Sequence, residues 1–345
     1  MCMNSKFKIS VVIPTYNRSG FVVQAIKSVL SQRFDAYEII VSDNASTDDT
    51  LGVLSQFSDE PRIKVFSNDT NIGMVANWRL CVETRISGDW FLLLSDDDLL
   101  IDPYFLAKVQ AMIEINPDLG FVYANGYLFD VETTRIDRLF LPYKGVVSGD
   151  SVISSYGTIL AQNFTLCNIV FNRTRALASG CFLSEQNICC DEELFLQLAI
   201  ANPVGCIQDC VSIYRTHTYN LSRRILTDPE FHFYRVNNIL KAWDILRELK
   251  APYIYNAFKR NTRLLKILKD LLDHLERSGK SEFLSYLDSS YPDLVKQASV
   301  FKDRKIDYLC VRLRMKILKY LKSPIQACVF LFFGACFSRK VRRLL

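Results

Sequence analysis

The 345-residue sequence has no CxxC pair, no internal repeat and no low-complexity linker. Its eleven cysteines are scattered, and several sit inside apolar runs, as Cys81, Cys167 and Cys310 do. Cys206 and Cys210 lack a His or Cys partner at zinc-finger spacing, so neither a disulfide framework nor a structural zinc site is indicated. Reduced cysteines packed as small hydrophobes are expected, in a reducing, cytoplasmic compartment. The opening MCMNSKFKIS carries no apolar core segment and no cleavage site, so export is not expected. A Gly-rich, basic phosphate loop is also missing after the first strand-like run. Pro14-Thr15-Tyr16-Asn17-Arg18 stands there instead, which argues against a sugar nucleotidyltransferase.

What the chain does have is enough apolar material for a large core, 49% hydrophobic and 12% aromatic, which excludes wholesale disorder. Its net charge of +5 is unevenly spread. Lys302 to Leu345 hold 12 Lys/Arg against Asp303 and Asp307, a net of +10, so the preceding 301 residues carry −5. An acidic body and the lack of a recognition motif exclude nucleic acid as the expected partner.

The first 130 residues alternate strand and helix patterns. Ile9 to Asn17 is a β-branched run closed by polar residues, and Val22, Val23, Ile26, Val29 and Leu30 recur at helical spacing. Glu38–Asp43, Ile63–Phe66 and Asp89–Leu94 read as further strands. Ser46 or Thr47 is expected to cap a helix near Asp49, and Asp102-Pro103 to open another. Beyond Leu119, Phe121–Tyr123, Leu166–Phe171 and Cys206–Tyr214 look like strands, and a helix is expected to start at Asp191. This rhythm predicts an α/β fold with a mostly parallel sheet covered by helices on both faces. Ligands of such sheets bind outside the carboxyl ends of the strands. Here those ends carry Thr15 and Asn17, then Asp43, then Asp96 to Asp98.

The last of these ends, Phe91 to Leu100, reads FLLLSDDDLL. Carboxylates this close repel one another, and hard cations such as Mg²⁺ and Mn²⁺ prefer carboxylate oxygens, commonly one or two together with substrate phosphates. The residues IPTYNR, IIVSDNASTDDT, NIG and GDWFLLLSDDD, in this order and at these intervals, resemble the motifs of the family 2 inverting glycosyltransferases with the GT-A nucleotide-sugar-binding fold. The likeness spans about residues 7 to 220.

The resemblance implies that Pro14, Thr15, Tyr16, Arg18 and Asn71 line a nucleotide pocket. It implies that Asp43 bonds the base, which favours UDP, and that Asp97 binds the divalent metal with Asp96 toward the sugar or ribose. The run begins with Ser95 where the family's metal motif has Asp, so the roles of Asp96, Asp97 and Asp98 stay open. Asp191 resembles the family's general base, with Glu192 as the alternative; Cys190 stands where a Glu is common. His217, in YRTH, resembles a residue that completes the metal or diphosphate site, and Arg215 is a diphosphate candidate. The implied partners are a nucleotide-sugar donor and a glycan acceptor, lipid-linked, in surface polysaccharide synthesis of the O-antigen or capsule type. A non-catalytic sugar-nucleotide-binding protein is the alternative.

Three regions are expected: a catalytic domain over 1–225, a helical extension over 226–301 and a basic tail over 302–345. Arg304 to Lys322 is cationic and amphipathic, and the apolar run Ile325 to Phe337 is shorter than the ~20 residues of a membrane-spanning helix. Peripheral attachment to the inner face of the membrane follows as the expectation.

Overall fold

The computed structural model describes residues 7–155, 165–180, 182–183, 187–218, 220, 269 and 289. The chain divides into two compact units, Met1–Val295 and Lys296–Leu345, and every described residue lies in the first. The basic tail and nearly all of the expected helical extension therefore fall outside the described residues. Among the described residues no helix is long and apolar enough to cross a membrane.

Strands β1 (Ile9–Thr15), β2 (Tyr37–Asp43), β3 (Ile63–Ser67) and β4 (Trp90–Leu93) form a parallel set in the order β3-β2-β1-β4. The crossovers run through α1 (Ser19–Leu30), α2 (Thr50–Leu54) and α3 (Met74–Leu80), the last extended by one π-type turn over Cys81–Arg85. β1 and β2 are buried almost throughout, which is why they read as unbroken apolar runs. α1 shows the core only one stripe, Val22, Ala25, Ile26 and Val29. The register sets Thr15 opposite Asp43 and Asp43 opposite Ser67, so the polar strand ends share one rim.

The second half mixes parallel and antiparallel pairings. After β5 (Leu99–Leu100) and α4 (Phe105–Ile115), β6 (Phe121–Asp130) pairs parallel only with β10 (Val204–Thr216). β9 (Ile169–Asn172) is antiparallel to both β4 and β6. β7 (Arg135–Leu139) and β8 (Gly145–Val147) add antiparallel edges, and β5 pairs antiparallel with β10. Further helices are α5 (Gly149–Ser155), α6 (Arg173–Ala178) and α7 (Cys190–Ala201). Rings of Phe91, Phe171, Phe121 and Phe195 touch in series at 5.5, 5.9 and 4.8 Å between centroids. That chain of contacts fixes α7 against the strand that ends in the aspartates.

Three local expectations are corrected. Neither Ser46 nor Thr47 caps α2: Asp49 stands at its N-cap, and the Ser46 hydroxyl instead accepts the Asn17 N–H at 2.9 Å. Asp102-Pro103 does not open α4 directly, because Asp102 Oδ1 accepts the Tyr104 N–H at 2.9 Å in a turn and the helix begins at Phe105. Leu166–Asn168 is a single 3₁₀ turn, and the strand starts at Ile169.

At the opposite rim the sheet holds a buried charge. Glu38 is 2% exposed and accepts bonds from the Ser10 hydroxyl (2.7 Å), the Ser87 N–H (2.6 Å) and hydroxyl (2.8 Å), and the ammonium groups of Lys8 (3.0 Å) and Lys64 (3.1 Å). Burial pushes the Glu38 carboxyl upward, but these donors outweigh it and hold it down at about 2. Next to it, a Cβ on Gly88 would stand 2.6 Å from the Ser10 Oγ and 2.8 Å from the Lys8 carbonyl oxygen, so only glycine fits there. Glu38→Gln is expected to cost about 2 kcal/mol at pH 7, since two hydroxyls, an N–H and two cations lose a charged acceptor. A depressed carboxyl stabilises above its ordinary value of 4.5 and loses that contribution as pH falls toward 2. Denaturant unfolding should therefore show wild type and variant converging over that window.

Candidate active site

Each side of the rim is built from a different chemistry. On the β2 side, Asp43 is fully buried; its Oδ2 accepts the Ser46 N–H and the Ser67 hydroxyl, both at 3.1 Å. Its Oδ1 is buried without a hydrogen-bond partner among the described residues. A buried acceptor left open is costly, so this oxygen is suited to a donor from a ligand. Pro14 costs no ladder bond. Val12 O accepts the Leu94 N–H at 2.9 Å on the β4 edge, Pro14 faces that same edge two residues later, and β4 has by then turned away. Tyr16 follows, 42% exposed, and Asn17 adopts φ 53°, where asparagine is tolerated, while its Oδ1 receives the Thr47 N–H at 2.7 Å.

Neutral amides and one arginine brace the wall beside Asp43. Asn44 donates to Asn71 Oδ1 at 2.9 Å and accepts from the Ile72 N–H at 3.0 Å, while Asn68 bonds both Asn44 (2.9 Å) and Asn77 (3.1 Å). The Arg85 guanidinium donates to the Ser42 hydroxyl and to Asn68 Oδ1, both at 2.5 Å. Asn71 thus serves as a brace of the loop that enters α3: its Oδ1 also takes the Gly73 N–H at 2.9 Å, where glycine is needed for φ 85°. Asn44, Asn68, Asn77 and Arg85 were not marked by the sequence.

The β4 side carries the charges. Asp96, Asp97 and Asp98 are all buried, in a turn closed by the Asp98 N–H on the Ser95 carbonyl at 3.0 Å. Burial, and then the charge of Asp97, push the Asp96 carboxyl up to about 7 against the pull of Arg18. The same two causes raise Asp98 well above the ordinary range, although its Oδ1 accepts the Arg215 N–H at 2.9 Å. Arg215 Nε donates to the Asp97 carbonyl, and burial lowers the guanidinium. Asp97 Oδ2 is reached by three groups from two other segments: His217 Nε2 at 3.1 Å and Asn220 Nδ2 at 3.0 Å after β10, and Arg18 Nη1 at 3.8 Å after β1. The fold thus brings Arg18, Asp97, Arg215 and His217 into one cluster. It adds Asn220, whose side chain also accepts the His217 N–H and donates to the Arg215 carbonyl at 3.2 Å. A third residue after His217 in a polar run gave no sequence signal for this.

Asp191 stands on a separate element, in the first turn of α7, with its Oδ1 accepting the Glu192 N–H at 2.8 Å. Of the three acids there it is the accessible one. Glu192 and Glu193 are buried, and Glu193 is held by Asn187 at 2.6 Å and Gln197 at 3.2 Å.

Among the described residues no group of three His, Cys, Asp or Glu is arranged as a metal site. Asp97 Oδ2 and His217 Nε2, now bonded to each other, nevertheless offer the oxygen and nitrogen donors that a divalent cation takes when substrate phosphates complete its shell. Three mutually repelling buried carboxylates fit such a cation as well.

Comparison with known proteins agrees with the geometry. The sequence model of Glycosyl transferase family 2 matches residues 10–175. EpsE of Bacillus subtilis (strain 168), assigned as a glycosyltransferase, is 27% identical over 267 residues, covering 74% of this chain and 88% of EpsE. A GalNAc(5)-diNAcBac-PP-undecaprenol beta-1,3-glucosyltransferase of Campylobacter jejuni is 41% identical over 120 residues, covering 34% of this chain and 38% of that protein. An uncharacterised glycosyltransferase of Rickettsia conorii is 33% identical over 70% of this chain, which spans only 41% of the relative's length. Among solved structures, residues 1–349 of S. aureus TarS with UDP-GlcNAc superpose at a TM-score of 0.57 with 16% identity, covering 84% of this chain and 79% of that one. PcManGT, a mannosyltransferase of Pyrobaculum calidifontis with GDP-Man and Mn²⁺, gives 0.52 with 14% identity over 86% and 87%. The fold is that of the GT-A glycosyltransferases.

The buried turn yields a prediction on stability. Asp98→Ala leaves the Arg215 N–H without its acceptor and should lower Tm by about 5 °C. Asp98→Asn keeps an oxygen for that N–H and removes a like charge, so its Tm should stay within about 2 °C of wild type by differential scanning fluorimetry.

Proposed function

We propose that the chain is a family 2 glycosyltransferase that transfers a sugar from a nucleoside-diphosphate donor, a UDP-sugar by preference, to a glycan acceptor by single displacement with inversion. One observation carries this reading: a buried, unpartnered Asp43 oxygen and a turn of buried aspartates follow strands of one parallel set, and Arg18 and the end of β10, with Arg215 and His217, meet that turn. The first suits the imide N–H of uracil, and the second suits a diphosphate.

Asp191 is the proposed base. It accepts the proton of the acceptor hydroxyl while that oxygen forms its bond to the anomeric carbon. The bond from that carbon to the diphosphate oxygen breaks, and the electron pair leaves with the nucleoside diphosphate. Arg18 and Arg215 bind the diphosphate through charge-assisted bonds and stabilise the charge it gains. A divalent cation, Mn²⁺ or Mg²⁺, held by Asp97 and His217 would add positive charge at the leaving group. Pro14, Thr15 and Tyr16 line the nucleoside side, and Asp96 faces the sugar or ribose.

The acceptor is proposed to be lipid-linked, in surface-polysaccharide synthesis, because the Campylobacter relative is named for an undecaprenol-linked substrate. The cationic, amphipathic segment in 302–345 supports attachment to the inner face of the membrane.

Thermal shift with UDP, CDP, GDP and dTDP, each with Mn²⁺ and with EDTA, tests the donor site. UDP with Mn²⁺ at about 100 times its Kd should raise Tm by about 5–10 °C, with a smaller shift in EDTA. Equal shifts for all four nucleotides, or none, would falsify the assignment of Asp43. Asp191→Asn should retain UDP binding and lose at least about 10²-fold in turnover; unchanged turnover would remove Asp191 as the base.

A further inference from the structure

We propose that Phe21 is a positioning residue for the diphosphate half of the donor site, holding Arg18, Arg215 and His217 in their binding arrangement. The inference rests on the reading above that this rim takes a nucleoside diphosphate. Phe21 lies in the first turn of α1, three residues beyond Arg18, and its N–H donates to the Arg18 carbonyl at 2.9 Å. Its ring stacks on the His217 imidazole, with centroids 5.1 Å apart and planes 9° from parallel. The Arg215 guanidinium carbon is 5.0 Å from the same ring centroid, and that of Arg18 is 5.9 Å away. Gln24, three residues further along α1, accepts from Arg215 Nη1 at 2.7 Å. Arg18, Phe21 and Gln24 therefore form one stripe of α1 that receives the end of β10.

The physical case is that two guanidiniums brought to one anion site repel each other before the anion arrives. An aromatic face attracts cations, and a flat stack limits the imidazole to one plane. The ring thus offsets part of that repulsion and removes rotamers that the ligand would otherwise have to freeze out. Arg215 Nη2 is buried with no hydrogen-bond partner among the described residues, a donor left over for an acceptor that the protein does not supply. A phosphate oxygen fits it. The nucleoside half, organised by Asp43 and the amide network, makes none of these contacts.

The test compares the full-length chain with Phe21→Leu and Phe21→Tyr by calorimetric titration of UDP, uridine and inorganic pyrophosphate, all with Mn²⁺, alongside Tm. Phe21→Leu should weaken UDP and pyrophosphate by about tenfold while uridine changes less than about twofold, and Phe21→Tyr should restore both. In turnover, the Leu variant should raise the donor KM more than it lowers kcat. Loss of UDP and uridine by the same factor would mark Phe21 as a plain packing residue and overturn the proposal, as would unchanged pyrophosphate binding. Wild-type protein that binds pyrophosphate but neither UDP nor uridine would remove the uridine reading, and the pyrophosphate titration would then decide on Phe21 by itself. Wild-type protein that binds none of the three would overturn both.

Discussion

The site depends on one short antiparallel pairing, Leu99-Leu100 against Ser212-Ile213. It clamps the aspartate turn to the last residues of β10. From there Arg215 returns its N–H to Asp98 and its Nε to the Asp97 carbonyl. Three carboxylates in sequence would otherwise push the turn toward water. Here they are buried, and each neighbour that β10 brings is a donor or a cation. The cost of desolvating them appears in the raised Asp96 and Asp98 carboxyls.

The other side of the rim is held by neutral amides and a single arginine. Asn44, Asn68, Asn71 and Asn77 satisfy one another and the backbone, and Arg85 reaches in from the π-type turn after α3. A satisfied amide network of this kind fixes shape in a low-dielectric setting. The open Asp43 oxygen is the acceptor that this wall leaves unpartnered among the described residues. The rim thus joins an amide-braced wall to a wall of buried carboxylates and their cationic partners.

Much of the fold was legible locally. β1, β2 and β4 announced themselves as β-branched or apolar runs because strands buried on both faces need no polar alternation. The polar residues ending each run marked the rim, since parallel strands joined by helical crossovers must present the same end on the same side. Pro14 was expected in the pocket by resemblance alone, and its tolerance in β1 has a plain cause in the early departure of β4. Phe21, by contrast, looked like one more apolar residue beside Val22 and Val23. Thr47, Ser46 and Asp102 misled because a side chain that can cap a helix can equally serve a turn, and the choice depends on neighbours far away in sequence.

The sequence by itself determined which residue types stand at the ends of the first four strands, and hence that acidic and hydroxyl groups meet at one rim. Only the tertiary structure decided what meets them. Arg215 bonds Asp98 across 117 positions, and Asn220 bonds Asp97 across 123. A strand's alternation specifies which face is buried and says nothing about its partner. The antiparallel entry of β9 and the return of β10 are set by how the whole core packs, and with them the cations, the histidine and the asparagine that turn three repelling carboxylates into a site.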